Sequence, residues 1–313
     1  MKANLNNKTH IEGLLYQHSL ELKVSGENSK NPGTEFITGT IDIATDDALL
    51  NIVSVHFTYV TATTSTGKAN SSFPILSNII NGTHGNIMAN GKDNAVKLSI
   101  DSAIGLNEFY SDKSGKEELI SVKRNEGGFV KVVSELNADE KKRNTFDVDI
   151  VITNVRHVDA DDEKNTPEKA IIKGAIFDFR KSLLPVEFTA VNPHAISYFE
   201  GLGATTKTPV FTQIKGRQIS ETVVKQITEE SAFGEPEVRE VKSSHKDYLV
   251  TWARPETYEW DTEGSITGAE MTEMMAARET YLATMKQRQD EYKASKTGAG
   301  AFAPAASSDG FDF

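Results

Sequence analysis

Apolar and polar residues alternate through most of the first 260 positions, and β-branched residues are common, so this part of the chain reads as a series of short strands. The two halves repeat one pattern. The first half runs Ile37-Thr38-Gly39-Thr40-Ile41, then Val55 to Val60, then a Pro-initiated apolar segment from Pro74 to Ile80 closed by Gly82. The second runs Ile172-Lys173-Gly174-Ala175-Ile176, then Val186 to Val191, then Pro193 to Glu200 closed by Gly201. A glycine inside a strand marks a bulge or sharp coil, which a small closed sheet needs where one strand turns a corner. Asn192 is a helix cap, Pro193 suits the first helical position, and Gly201 is expected to end the helix in the left-handed conformation.

Two further strands follow each predicted helix. They fall around Ala95 to Ile104 and Leu119 to Val133 in the first half, and Val210 to Ile219 and Val238 to Trp252 in the second. The opening strands are placed at Leu20 to Val24 and Phe146 to Val155. Beyond Trp260 the period changes: Thr267-Gly268-Ala269-Glu270 is a capping box, followed by Met271, Met274, Met275, Leu282 and Met285 at helical spacing to about Lys293.

Five strands with a helix between the third and fourth is the plan of the oligonucleotide/oligosaccharide-binding (OB) barrel. The chain resembles two OB folds in tandem, over roughly residues 15–135 and 144–260. Two unrelated β-sandwich domains are the competing architecture. The organisation expected is mainly β: a first OB-like domain over 1–140, a second over 141–262, a helix over 263–296 and a flexible linker and tail over 297–313.

The charge balance sharpens where a ligand would sit. The net charge of -11 disfavours non-specific polyanion binding, so nucleic acid would need a local basic patch. Between Lys169 and Arg217 lie Lys169, Lys173, Arg180, Lys181, Lys207, Lys215 and Arg217 against Asp178, Glu187 and Glu200, a basic island. From Phe36 to Val60 there is no Lys or Arg, so the first barrel is expected to contribute less.

OB barrels bind oligonucleotides on the face of strands two and three, with rings for stacking and cations for phosphates. Alternation sends Ile172, Gly174 and Ile176 inward and presents Lys173, Ala175, Phe177, Phe179 and Lys181 outward. The candidate nucleic-acid residues are therefore Lys173, Phe177, Phe179, Arg180, Lys181, Phe211, Lys215, Arg217 and Trp252, with Arg254, Tyr258 and Trp260 nearby. Strand period puts Tyr248, Val250 and Trp252 on one face. Core packing is the competing reading for each ring taken alone.

The stretch from Lys296 to Ala306 has the composition of a flexible linker, and SSDGFDF follows it. Bacterial and phage single-stranded-DNA-binding proteins look similar here: an OB core, a linker, then an acidic tail ending in phenylalanine. That resemblance implies that Asp309, Phe311, Asp312 and Phe313 dock onto replication, recombination and repair proteins, a ring filling an apolar pocket while the acids meet basic residues. The tail differs in having only two Asp residues instead of a dense acidic run. The tandem arrangement looks more like a phage-encoded or divergent relative than the one-barrel cellular proteins.

Other chemistries find little support. With no cysteine there is no disulfide, thiolate zinc site or cysteine nucleophile, which suits a reducing cytoplasm, that of a bacterial host if phage-encoded. The N-terminus lacks a signal-peptide pattern, and no apolar run is long enough to span a bilayer. Gly67-Lys68 lacks the rest of a phosphate loop, since Ala62 and Ala69 stand where glycine and Ser/Thr are needed. Gly82-Thr83-His84-Gly85 reads as a turn, and the seven histidines show no paired ligand spacing. Asp159, Asp161, Asp162 and Glu163 read as a solvated hairpin tip instead of a calcium loop. No enzyme activity, cofactor or metal is expected. The functions in contention are a single-stranded-DNA-binding protein that coats exposed strands, with self-association compatible with such a coat; a structural or virion assembly protein built from β domains; and an RNA-binding protein.

Overall fold

A computed structural model describes residues 5–27, 29–112, 115–160, 167–229, 237–262 and 265–298. The acidic tip at 161–163 and the tail from 299 to 313, with Asp309, Phe311, Asp312 and Phe313, lie outside the described residues.

The first barrel is built from β1 (Asn7–His18), β3 (Glu35–Ala44), β4 (Ile52–Thr61), β5 (Lys97–Ser111) and β6 (Glu118–Val132), with β2 (Glu21–Val24) paired to the edge of β3. Helix α1 (Ser72–Ile80) and the one-turn α2 (Ile87–Asn90) separate β4 from β5. Pairing closes the ring in the order β1-β3-β4-β6-β5 and back to β1, antiparallel throughout except where β4 runs parallel to β6. Ile11, Leu15, Ile37, Ile41, Val55, Phe57 and Leu98 fill its interior, and Leu76 and Ile79 of α1 pack onto it.

The second barrel repeats the plan with β7 (Asn144–Val158), β8 (Lys169–Phe177), β9 (Leu183–Ala190), α3 (Pro193–Gly201), β10 (Val210–Glu229) and β11 (Glu237–Ala253). It closes as β7-β8-β9-β11-β10 and back to β7, with β9 parallel to β11. Phe146, Val148, Ile150, Ile172, Phe188 and Ile214 form its core. Antiparallel pairing of β1 with β7, from Asn7↔Val148 to Ile11↔Asn144, joins the barrels into one continuous sheet of 11 strands.

The repeated strand glycines do the work expected of them. Gly39 has φ +124° at a bulge in β3, and a Cβ there would lie 2.3 Å from the Ser19 carbonyl oxygen. Gly174 lets β8 pass the bulge in β7, where a Cβ would meet the Val151 carbonyl oxygen at 2.4 Å. The Asn192 side chain accepts from the His194 and Ala195 amides, as a cap should. Gly201 is still helical, and the left-handed residue is Gly203 at φ +59°.

The opening strand of the first barrel differs from expectation. Leu20 to Val24 contributes only the edge strand β2, and the barrel opens with β1. β1 pairs with β5 and β7 along its first half and with β3 toward its end, so its buried positions do not alternate and its period is obscured.

Both hairpins that follow the helices are long. β5 and β6 stay paired out to Ser111↔Glu118, and β10 and β11 out to Glu229↔Glu237. They cross onto each other's barrels: Leu106 of the first arm packs against the second core, while Gln218 on β10 exchanges two 2.8 Å hydrogen bonds with Asn125 on β6. Helix α4 (Gly268–Gly298) starts with the expected reciprocal box, the Glu270 amide donating to the Thr267 hydroxyl at 3.1 Å and the Thr267 amide to the Glu270 carboxylate at 3.0 Å. It then runs along the first arm through Arg278–Glu108 and Lys286–Glu117 ion pairs. No helix among the described residues is long and apolar enough to cross a membrane.

Candidate nucleic-acid interface

The strand-two and strand-three face of the second barrel is where the sequence placed the ligand. Register sets Ile171, Lys173, Ala175 and Phe177 of β8 opposite Thr189, Glu187, Pro185 and Leu183 of β9 on that outer surface. Much of it is occupied by the chain's own C-terminal part. Phe177 is 1% exposed, in a cluster with Val151, Ala175, Leu183, Phe211, Ile266 and Met274, against which Tyr258, Trp260 and Met271 pack. Phe211 is equally enclosed, its ring 4.7 Å from that of Tyr258 and 6.0 Å from that of Trp260. Neither Phe177 nor Phe211 presents a stacking face to solvent. Alternation sends Phe177 outward correctly, but the segment from Tyr258 into α4 covers that outward side. Lys173 forms an ion pair with Glu187 at 2.6 Å directly across the strands.

Phe179 is not on the strand row. It lies in the β8–β9 turn, where the Asp178 carboxylate accepts from the Arg180 amide at 2.8 Å and the Ser182 amide at 2.7 Å. Lys181 takes the left-handed conformation at φ 66°, its amide donating to the Asp178 carbonyl at 2.9 Å. This stapled turn holds Phe179 out at 88% exposure, with the Arg180 guanidinium 5.0 Å from the ring centroid.

A second exposed couple lies on β10 and β11. Trp252 is exposed, and the Lys215 ammonium sits 5.2 Å from its ring while pairing with Asp147 at 2.9 Å. Tyr248 and Val250 point into the core. They do not share the face of Trp252, because pairing steps from Gly216↔Val250 to Lys215↔Trp252 and leaves Thr251 as an extra residue that reverses the alternation. Next along, the Arg254 guanidinium stands 4.7 Å from the Tyr258 ring, and the Arg254 amide donates to the Gln213 carbonyl at 2.9 Å. The Tyr258 hydroxyl donates to Asp149 at 3.1 Å, and burial pushes that carboxyl above its usual range. Arg217, half-buried, lies on β10 between Thr145 and Leu249.

The structure scatters the predicted residues. Phe179 with Arg180 and Trp252 with Lys215 form exposed ring–cation couples at a turn and a strand end, Lys181 shares the turn, Lys173 is paired with Glu187, Arg217 is half-buried, and Phe177 and Phe211 are core. Sequence reasoning missed Lys123 of β6. Its ammonium crosses from the first arm to the second barrel, donates to the Glu187 carbonyl oxygen and lies 4.5 Å from the Tyr248 ring and 5.4 Å from the Phe188 ring. Burial pulls this amine down to about 8, with Asp247 and Glu187 partly restoring it. No periodicity in β6 marks it, since its partners belong to the other barrel. On the first barrel the outward row Thr38, Thr40 and Asp42 carries no cation: Thr38 donates to the Phe57 carbonyl, Thr40 meets His56 at 3.2 Å, and Asp42 accepts from Ser54.

These elements define a mainly β protein of two tandem OB-type barrels with a C-terminal helix laid across them. The chain belongs to the YorF family, whose pattern matches residues 6–288. Among solved structures it is similar to a deletion mutant of the single-stranded DNA binding protein from Thermus aquaticus, with a TM-score of 0.44 and 8% identity over 82% of this chain and 97% of that one. No curated protein matches its sequence.

Proposed function

We propose that this chain is a non-catalytic protein that binds single-stranded DNA, gripping it around the exposed end of the second barrel. The observation that carries this reading is the pair of exposed ring–cation couples, Phe179 with Arg180 and Trp252 with Lys215, with the exposed Arg254 guanidinium next to them over the half-buried Tyr258 ring. A ring beside a cation offers a stacking surface for a base and a charge for the adjoining phosphate, without demanding a particular sequence. In a chain of net charge -11, such local couples are where a polyanion can be held. Its setting would be replication, recombination or repair, with SSDGFDF at 307–313 recruiting partner proteins; the support for that role is the sequence of the tail and its linker.

The test is a fluorescence titration with labelled oligo-dT over a series of salt concentrations. Three or four phosphate contacts predict a log–log slope of roughly -2 to -3 for single strands. A folded protein that shows no salt-dependent binding at micromolar concentration would sink the reading. Matched RNA strands in parallel decide between DNA and RNA.

A further inference from the structure

The first barrel carries no basic row, yet it holds a groove of about 420 Å³ beside the outer end of β4. Its lining includes Asn31 and Thr34 from the β2–β3 connection, Tyr59 from β4, and Thr63, Ser65 and Asn70 from the segment after β4. None of the lining residues is charged, in a chain where 25% of residues are. Local contacts brace its walls. The Tyr59 ring packs 4.6 Å from the Phe36 ring, and its hydroxyl reaches Ser25 at 3.2 Å. The lip at 61–70 is tied by the Thr64 amide donating to the Lys68 carbonyl at 2.7 Å, the Asn70 amide to the Ala62 carbonyl at 2.8 Å, and the Thr61 hydroxyl to the Thr63 carbonyl at 2.6 Å. Asn31, Thr34 and Ser65 bring amide and hydroxyl groups that have no side-chain hydrogen-bond partner among the described residues.

An uncharged groove with one aromatic wall and free amide and hydroxyl groups suits a flat neutral ring with donors and acceptors on its edge, and does not suit a phosphate. Charges of both signs flank it along the chain: Lys30 precedes Asn31 and Lys68 lies in the 61–70 lip, while Glu35 follows Thr34, all three exposed. The Tyr59 ring on one wall and the amide and hydroxyl groups facing it match a planar base, with its phosphates left to the flanking Lys30 and Lys68. We infer that this groove is a base-reading pocket, in which one unpaired nucleobase stacks on Tyr59 and is read at its edge by Asn31, Thr34 and Ser65. The inference rests on the proposed single-stranded DNA binding and adds that one nucleotide in the path is selected by identity.

The test compares homopolymers of dT, dC and dA with the full-length wild type, Tyr59→Ala and the double variant Asn31→Ala/Ser65→Ala, after thermal melts establish that each is folded. Tyr59→Ala should weaken all homopolymers by about fivefold or more. The double variant should keep the weakest-binding homopolymer within about twofold while shrinking the ratio between strongest and weakest by roughly 3- to 10-fold. If wild type binds with salt dependence but these variants leave both affinity and homopolymer ranking unchanged, the pocket is overturned while the DNA-binding function stands. If wild type binds no oligonucleotide, both fail. Saturable binding of maltotriose that is lost in Tyr59→Ala would reassign the groove to a sugar and overturn the base reading.

Discussion

Two phenylalanines two positions apart make the sharpest trial of the covered face. Phe177 is 1% exposed and packs with Phe211, Ile266 and Met274, while Phe179 is 88% exposed on a stapled turn. Truncating a fully buried phenylalanine removes its transfer free energy and leaves a cavity, about 3–5 kcal/mol in all. Spread over a unit the size of one or both barrels, Phe177→Ala should lower the melting temperature by roughly 5–15 °C. Phe177→Leu, which retains most of the volume, should recover most of that loss. Neither should change the affinity of the folded protein for oligo-dT by more than about twofold, since no face of the ring meets solvent. Phe179→Ala should behave oppositely, with stability within about 0.5 kcal/mol of wild type. If the ring stacks on a base, its loss costs about 1–3 kcal/mol of binding, roughly 5- to 150-fold in Kd. Calorimetric melts and oligo-dT titrations on the three variants measure both quantities. Phe177→Ala with an unchanged melting temperature and weakened binding would show that the face is open and that the cover formed by α4 and its lead-in is wrong.

Other consequences follow from the contacts between barrels and helix. Burial holds the Lys123 amine at about 8, below its ordinary 10.5, so between those pH values the unfolded chain binds the proton that the native chain has released. Stability attributable to Lys123 should therefore rise with pH across that window, by about 2–3 kcal/mol, and be lowest at neutral pH. The difference between wild-type and Lys123→Met denaturation free energies, measured from pH 7 to 10.5, reads this directly, and parallel pH profiles would refute it. The Arg278–Glu108 pair is bidentate and enclosed, with side chains 12% and 3% exposed, so Arg278→Ala leaves a buried carboxylate without its partner. That should cost about 3–5 kcal/mol in a denaturant melt, while Arg278→Met combined with Glu108→Leu should cost far less. Deleting residues 307–313 removes Asp309 and Asp312 and should leave the melting temperature unchanged and oligo-dT affinity equal or slightly higher; a marked loss of stability would place those rings in the core.

The strand-and-helix order of the second barrel, and of the first beyond its opening strand, could be read from the chain because it is written in local signals: glycines where a strand must bend, Asn192-Pro193 opening one helix, and Thr267 with Glu270 opening another. The errors have a common physical origin in contacts that local pattern does not encode. Period two correctly sends Phe177 to the outside of its sheet, but whether the outside is wet depends on Ile266 and Met274, about ninety positions later. β1 lost its alternation because it pairs with three strands from two barrels, and Trp252 changed face because Thr251 is one residue too many for its partner strand. Lys123 looks like any surface lysine until the first arm lays it over two rings of the second barrel.

This origin also bears on where a ligand can sit. A barrel face closed by the chain's own C-terminal segment gives up its central rows and keeps only what projects past the cover. The exposed couples accordingly lie on the β8–β9 turn and at the end of β11, with the exposed Arg254 just beyond. The first barrel keeps a groove instead of a charged row. A strand of DNA that touched both would meet cations on one barrel and an uncharged pocket on the other. Affinity would then depend mainly on the second barrel and discrimination between bases mainly on the first, so substitutions at Lys215 or Arg254 should flatten the salt dependence without altering homopolymer ranking.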